Sequence, residues 1–575
     1  MDSNSWIHCI VIVDFEIEKG QIIETVHPEN TILSDTERNN LVYMAFPDSN
    51  SNCMGDTKFH ICLRTIRKLS DQHRLYNREC KQDLKADIGH YWGYVFFRQV
   101  KDPTSKRGYF QKSFVLITRL PFHNFFSELV NRWAPLYFKS GLSALEQGYD
   151  QILSWPKLIT NTPLQLPILG SIYQLYIAAN RNQSDSTNNT TTTTETEDVT
   201  NNNNSTSSSS SSSSATTTIP ITINSPNEID IFGPVHTIIH HIQLMWELIL
   251  IAEPIVIIAP SPTDSSLLVQ ALTNLIAPLE YLPEIFPYFT IHNAEFREFA
   301  SSTSPPSVIL GCTNPYFAKT LSAWPHTIRI NESLQIDHPV PHRKLERVKS
   351  LQKLLMDNSG SIYTQHRPFL QKDKAFVKKI LNGVKTRRPT AVQSIILRRY
   401  FLELTQSFMI PLERYMSSLM PLAKDISAFR APPVPAQFKE DTFLGTLELS
   451  GPQLTSTVKG DFEGLYKRFF RSPNFRGWYE ARRTEQIEKL EALHQEALAK
   501  EDFKKWMRGK QEVEIVDMIL CIKNKLQLPV NSNSTLTPIE PAINVTIKKE
   551  VRELLMEKLD DLIASLPDDL KTILN

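Results

Sequence analysis

Residues 236–276 read HTIIHHIQLMWELILIAEPIVIIAPSPTDSSLLVQALTNLI, and this stretch decides the fold class. Ile238, Ile239, Ile242, Leu244, Met245, Leu248 and Ile249 recur at the spacing of one broad helical face, with Trp246 and Glu247 among them. Glu253-Pro254 breaks that pattern, and the β-branched run 255–258 behind it reads as a short buried strand. The hydroxyls and carboxylate of 260–266 can accept the free N–H groups at the start of a second helix, predicted through Ile276. Two further apolar runs, 289–291 and 307–311, read as strands, followed by a helix over 314–324 and a last strand over 327–330. Strands alternating with helices across short loops predict an α/β layered module with a mainly parallel sheet.

Toward the N-terminus the pattern changes. Residues 7–15 and 21–26 are strand-like runs joined across Glu18-Lys19-Gly20 as a hairpin. Ser34-Asp35-Thr36-Glu37 supplies a capping pattern for a helix through Tyr43. Further strands are expected over 59–63, 92–100 and 110–118, and a helix over 122–138, which together fit an antiparallel sheet packed by helices. The tract 181–219 is almost entirely Asn, Thr and Ser, too poor in apolar surface to offset the entropy of ordering. It reads as a disordered linker that separates two lobes. From residue 346 onward the chain reads as helical. Residues 391–408 form a strong helix that Pro411 should kink or end, 479–506 a long charged helix with Leu490, Leu493 and Leu498 on one side, and 513–526 and 547–566 complete the set. The expected organisation is α/β plus all-α: a module over 1–180, the linker, a central α/β module over 220–345 and a helical module over 346–575.

Length alone suggests roughly three or four domains, and 41% hydrophobic residues suffice for sizeable cores. Lys and Arg number 62 against 62 Asp and Glu, so the net charge of zero gives no global drive toward nucleic acid or an acidic membrane. Cysteines stand at 9, 53, 62, 80, 312 and 521 with no CxxC pair, which reads as a reduced, cytosolic chain. Asp2 precedes the first apolar run and Asp14 and Glu16 break it, which argues against a cleaved signal peptide. The most apolar window, 244–260, contains Glu247, Glu253 and Pro254 and falls short of the about 18 apolar residues a spanning helix needs. No transmembrane segment is expected.

The chain has neither GxxxxGK[ST] nor GxGxxG, so no phosphate cradle of an NTPase or dinucleotide enzyme is visible, and no cofactor is expected. Cys312 lies between a strand and a helix, where a helix N-terminus could activate a thiol, with His292 and His326 as distant partners. A buried structural cysteine is the stronger reading. His240-His241 lacks zincin spacing and is no metal site; one of the pair should pack and the other face solvent. Lys467-Arg468-Phe469-Phe470-Arg471, with residues 385–388, could meet phosphate or lipid. The favoured reading is core aromatics with basic side chains reaching solvent. Residues 48–50, 55–56 and 260–266 are polar, turn-forming stretches at strand ends, where partners commonly bind and where turn chemistry alone also suffices.

Several of these stretches carry a resemblance. MWELILIAEPIVIIAPSPTDSS (245–266), PYFTIHNAEF (287–296) and PPSVILGCTNPYFAKTLSAWPHTIRI (305–330) resemble the central module of DENN-domain proteins of the sixth DENN subfamily. WIHCIVIVDFEIEKGQIIETVHP (6–28), FPDSNSNCMGDTKF (46–59) and YWGYVFFRQVKDPTSKRGYFQKSFVLITRLPF (91–122) resemble the upstream module. ILRRYFLELTQSFMIPLERYMSSLMPL (396–422) and LTSTVKGDFEGLYKRFFRSPNF (454–475) resemble the downstream one. The order of these motifs over several hundred residues makes coincidence improbable. One departure is Ala252, where a glycine would be usual before Glu-Pro.

The resemblance implies a longin-like first module, a central DENN module and a helical downstream module. It also implies a guanine nucleotide exchange factor for a Rab GTPase, cytoplasmic and recruited peripherally to recycling endosomes, with no nucleic-acid partner. The partner surface is expected where the first and central modules meet, with Asn50, Pro260, Asp264 and Gly311 as its candidates. The alternatives are a non-catalytic longin–DENN scaffold in a heterodimer, or stimulation of GTP hydrolysis by an arginine finger, for which Arg98 and Arg329 are the candidates.

Overall fold

β-branched and aromatic residues recur in the strands, which in the computed structural model form two five-stranded sheets and one three-stranded sheet. The structure describes residues 5–48, 51, 53–104, 108–179, 220–330, 361–447, 458–527, 549–568 and 570–571. The chain divides into two units, Met1–Pro368 with Asp373–Arg399, and Phe369–Lys372 with Tyr400–Asn575.

In the first unit, β1 (Cys9–Glu16) and β2 (Gly20–His27) form the expected hairpin. Gly20 opens β2 at φ +79°, a conformation that costs glycine nothing. With β3 (Gly55–Arg64), β4 (His90–Lys101) and β5 (Tyr109–Thr118) they make an antiparallel sheet in the order β2-β1-β5-β4-β3. Successive side chains point to opposite faces. Ile10, Ile12, Tyr94, Phe96, Phe114 and Leu116 pack with the inner faces of α3 (His123–Ser140) and α4 (Leu142–Leu153). On the other face Val11, Val13, Ile61, Val95 and Val115 pack with Leu41 and Met44 of α1 (Asp35–Met44). Ser34 and Glu37 cap α1 reciprocally, the Glu37 amide donating to Ser34 Oγ at 3.2 Å and the Ser34 amide to Glu37 Oε2 at 2.8 Å, as the pattern anticipates. A short α2 (Asp71–Glu79) is capped by Ser70.

A second, three-stranded sheet was not anticipated. β6 (Pro163–Ile168) and β7 (Ser171–Tyr176) form a hairpin, and β8 (Ile221–Ile223) pairs with β7. The tract 181–219 lies outside the described residues, but the strands on its two sides pair with each other. The chain thus returns to the sheet it left, held there by Ile223 in the α3–α4 core, and the tract does not divide the chain into separate lobes.

The central region follows its apolar runs. α5 (Phe232–Val235) and a 3₁₀ segment lead into α6 (Ile242–Leu250), and both His240 and His241 are exposed rather than one being packed. β9 (Ile255–Ile258), α7 (Pro262–Thr273), β10 (Glu284–Phe286), α8 (Phe296–Ser301), β11 (Val308–Cys312), α9 (Phe317–Thr320), β12 (His326–Arg329) and β13 (Ser361–Thr364) give a sheet in the order β10-β11-β9-β12-β13. Its first four strands are parallel and β13 is antiparallel. Residues 289–291 are not the strand expected there. The Phe289 amide donates to Gly311 O at 2.7 Å, and the Thr290 amide donates to Asn293 Oδ1 at 3.0 Å, turning the chain toward α8. The helix expected over 314–324 is reduced to α9, because Asn314 and Pro315 start it with a turn in which the Tyr316 amide donates to Asn314 Oδ1. α10 (Lys374–Lys385) completes this unit with the first residues of α11 (Thr390–Ser418).

The second unit is helical. Pro411 neither ends nor delimits α11, which runs on to Ser418 with Leu404, Phe408, Leu412 and Met416 buried around the proline. α12 (Glu440–Thr446), α13 (Phe462–Phe469), α14 (Pro473–Lys500), α15 (Phe503–Trp506), α16 (Glu512–Gln527) and α17 (Lys549–Ala564) follow. The helix expected over 479–506 starts earlier and splits: Ser472 caps α14 ahead of Pro473, and Asp502 caps α15 as a separate turn. Phe469 and Phe470 are buried while Lys467 and Arg471 are exposed, the arrangement of a core stripe with solvated basic residues. The whole is α/β with a helical C-terminal region. No helix among the described residues is long and apolar enough to cross a membrane.

Candidate functional site

The centre of the parallel sheet fixes the site. Val256, Ile258, Leu310 and Cys312 share one core with Phe317 and Trp324, so the chain leaving β11 crosses that face. Gly311, one position from Cys312, points to the opposite face. There Ser265 of α7 donates through Oγ to Pro287 O at 2.9 Å, and a Cβ on residue 311 would stand under 3.0 Å from both. The connections after β9 and β11 therefore leave over opposite faces, and the carboxyl ends of the two strands, the switch point at which open α/β sheets receive partners, mark the candidate crevice.

Local capping lines the first wall. Ser261 Oγ accepts the Asp264 amide at 3.1 Å and donates to Asp264 Oδ2 at 2.7 Å, while Pro262 takes a first-turn position in α7 that needs no donor. Pro260 and Asp264 are half-buried at this edge. The second wall comes from the N-terminal sheet. Tyr288 is fully buried with its ring against Phe59, at 5.3 Å between centroids, and its hydroxyl accepts the Asp48 amide at 2.8 Å and donates to Phe46 O at 3.2 Å. Thr263 Oγ1 donates to Lys58 O at 2.8 Å. Burial raises the Cys53 thiol, and the charge of Asp264 raises it further, which puts the loop before β3 beside the α7 N-terminus.

Of the anticipated residues, Pro260 and Asp264 stand at the start of α7. Gly311 is buried beneath α7 and contributes by letting that helix sit close. Asn50 lies outside the described residues; its neighbours Asp48 and Ser51 form a turn, with the Ser51 amide donating to Asp48 O at 2.9 Å. Cys312 is a structural thiol: its Sγ donates to Ile257 O at 3.1 Å, and burial, then the charge of Asp48, pushes its pKa up. Arg98 is held by Asp56 through Nε at 2.6 Å and NH2 at 2.7 Å, with its guanidinium 4.7 Å from the Phe138 ring centre, whereas Arg329 is exposed on β12. Among the described residues no cluster of His, Cys, Asp and Glu could hold a metal ion.

Behind the crevice, α7 is locked to β3 by a polar node that periodicity did not single out. Gln270 Nε2 donates to His60 Nδ1 at 2.9 Å and to His123 Nδ1 at 3.3 Å, and His60 Nε2 donates to Ser127 Oγ at 2.7 Å. Burial holds His60 at about 4 and His123 well below its usual range, so both rings are neutral. At the far edge Arg64 Nε donates to Glu284 Oε1 at 2.8 Å, and His90 lies 3.4 Å from the same carboxylate. Burial pulls His90 down, but hydrogen bonds and charge from Asp87 and Glu284 outweigh it and hold it at about 9. Asn40 and Glu295 add a third link, Nδ2 to Oε2 at 3.3 Å. The only sequence sign of these contacts is a polar residue inside an apolar run, such as Gln270 in 267–272.

The arrangement sets an acidic helix N-terminus beside a loop tethered by Tyr288. Comparison with known proteins gives two family models that match parts of the chain. The family model described as transport protein Avl9 matches residues 7–144, and that described as the DENND6 C-terminal domain matches 503–575. Protein DENND6A of Mus musculus is 41% identical over 579 residues, covering 99% of this chain and 90% of its own length. Protein DENND6B of Homo sapiens is 41% identical over 579 residues, at 99% and 93%. The DENND6 homolog of Dictyostelium discoideum is 33% identical over 574 residues, at 92% and 77%. With similarity of this depth along nearly its whole length, the chain belongs to the DENND6 family of DENN-domain proteins.

Proposed function

We propose that the chain is a guanine nucleotide exchange factor for a Rab-family GTPase, acting in the cytoplasm and at recycling endosomes. In this reading the five-stranded antiparallel sheet is the longin module, residues 220–345 hold the central DENN module and 346–575 the helical downstream module. The observation that carries the proposal is the β9–β11 switch point in a DENND6-family chain, with Asp48 of the loop before β3 tethered beside it by Tyr288. Exchange needs no covalent step. The crevice would bind the nucleotide-free GTPase more tightly than its GDP form, and this difference in affinity lowers the barrier to GDP release. Asp264 and Pro260 supply the contact edge, Gly311 sets the seat of α7, and Asp48, tethered by Tyr288, closes the opposite side, with Asn50 as a further proposed contact outside the described residues.

Release of a fluorescent GDP analogue from a panel of purified Rab proteins tests this. Acceleration for one or two Rabs, abolished by Asp264→Arg and retained by the exposed Arg329→Ala, is expected. A folded, monodisperse chain that accelerates none of them would overturn the exchange reading in favour of a scaffold. The clamp of Asp56 and Phe138 on Arg98 argues against its service as a mobile finger for hydrolysis.

A further inference from the structure

The end of the β3–β4 hairpin remote from the crevice carries a feature that partner exchange does not use. Thr65 and Gly89 continue the register of β3 and β4, with the Thr65 amide donating to Gly89 O at 2.8 Å, so Ile66 and Ile88 follow on neighbouring turns. Ile66 is 97% exposed and Ile88 74% exposed, the two highest values among the large apolar side chains described. These turns are not loose. Arg119, itself buried, donates to Asp87 O at 3.1 Å, Ile88 O at 2.9 Å, His90 O at 3.2 Å and Arg67 O at 2.7 Å, with its guanidinium 4.1 Å from the Tyr91 ring centre. One cation thus clamps both turns and fixes two isoleucines in solvent.

The charge around them is unbalanced. Asp71 pairs with Arg74, Asp87 accepts the Gly89 and His90 amides at 2.9 Å each, and Glu284 is taken by Arg64 and His90. Arg67, Lys68, Arg78, Lys81 and Lys85 make no ion pair among the described residues and outnumber the acidic residues of the same region that make none, Glu79, Asp83 and Glu280. Lysines are depleted from the cores of protein interfaces, whereas juxtamembrane lysines and arginines are drawn to anionic headgroups while apolar side chains enter the acyl boundary.

We propose that the clamped turns bearing Ile66 and Ile88, with Lys68 and Lys85 close to them in the chain, form a docking surface for an anionic lipid bilayer. Two shallow aliphatic insertions with a basic surround give reversible attachment. Lys58 and Phe59, which wall the candidate site, stand six and five residues before Arg64 in β3, about 17–20 Å at the usual rise, so the site lies away from the turns.

Co-sedimentation of the full chain with phosphatidylcholine vesicles, or with an equal mixture of phosphatidylcholine and phosphatidylserine, tests the surface. Binding to the mixed vesicles only, falling as salt is raised, is expected. Ile66→Asp with Ile88→Asp should lower it at least about tenfold and Lys68→Ala about fivefold, with the circular dichroism unchanged. An Ile66→Trp reporter should shift its emission to the blue on the mixed vesicles. Equal binding to both vesicle types, unaltered binding by the aspartate pair, or no binding with the reporter silent would overturn the proposal. In the last case a protein partner or a second copy covers the patch.

Discussion

Replacing Tyr288 by Phe removes one oxygen and leaves the ring on Phe59 in place. That oxygen sits where the Asp48 amide and the Phe46 carbonyl meet, and Phe46 is buried, so its carbonyl loses its side-chain donor without ready access to water. A buried polar group left unpaired costs about 1–3 kcal/mol. Asp48 is half-buried and regains some of its loss from solvent. The opening of residues 46–48 should therefore become easier by about 1.5–3 kcal/mol, roughly ten- to a hundredfold in the opening equilibrium. Hydrogen exchange resolved on the peptide containing Asp48 reads this directly, and exchange there should rise by that factor while the amides of β9 and β11 keep their protection. Tyr288→Ala, which also leaves a ring-sized cavity worth about 3–5 kcal/mol, should loosen the whole packing of α1 and β3 against the central sheet. Unchanged protection at Asp48 in Tyr288→Phe would refute the claim that this hydroxyl tethers the loop. On the exchange reading, the same variant should slow GDP release from the cognate Rab, because the loop must be held to act as a wall.

Gly311→Ala should destabilise the first unit by about 1–3 kcal/mol in denaturant titration, and adding Ser265→Ala should recover only a fraction, because the Pro287 carbonyl still stands against the new methyl. Ala252 sits at φ +56°, where an L-residue costs about 1–2 kcal/mol and the extra freedom of glycine when unfolded offsets about 0.4–1. Ala252→Gly should thus raise the denaturant midpoint by an equivalent of about 0.5–1 kcal/mol, and a fall would sink that reasoning. His90, held at about 9 against a usual 6.5, stabilises fully below pH 6.5 and loses its contribution as pH rises from 6.5 to 9. His60, held at about 4 by burial, contributes fully above pH 6.5 and loses its contribution as pH falls toward 4. The unfolding midpoint of the first unit should peak near pH 6.5, with His90→Gln flattening the alkaline side and His60→Gln the acid side; limbs unaffected by these changes would assign the dependence elsewhere.

What was legible in the sequence is what neighbouring residues decide. Ser34 with Glu37, and Ser261 with Pro262 and Asp264, announce helix starts because a cap closes over three residues. The β-branched run 255–258 announces the buried strand β9 because both its faces are covered. Where local pattern and structure differ, a tertiary contact overrides a local preference. The apolar run at 289–291 is not a strand because Tyr288 is drawn into the core of the neighbouring sheet and Phe289 is bonded to Gly311. α11 passes through Pro411 because buried side chains on both sides of it hold the helix against the loss of one hydrogen bond. The glycine expected in place of Ala252 had a physical cause that the structure exposes, a left-handed backbone between α6 and β9.

The crevice itself was beyond local reading for a different reason. Asp264 and Pro260 could be named because they belong to one cap, but their opposite wall depends on Tyr288 reaching Asp48 across 240 positions of sequence, and nothing near either residue encodes the pairing. A weaker signal was present. Gln270 interrupts 267–272 on a helix whose neighbours are buried, and an unpaired amide there would be costly. A polar residue kept at such a position implies a polar partner across an interface, which here is His60 with His123. Applied to His60 within the buried stretch of β3, the same argument would have demanded a donor from another element, and it would have brought α7 and β3 together before any coordinates. Buried polar residues inside apolar runs thus mark where two sheets are joined, and in this chain the join is what shapes the candidate site.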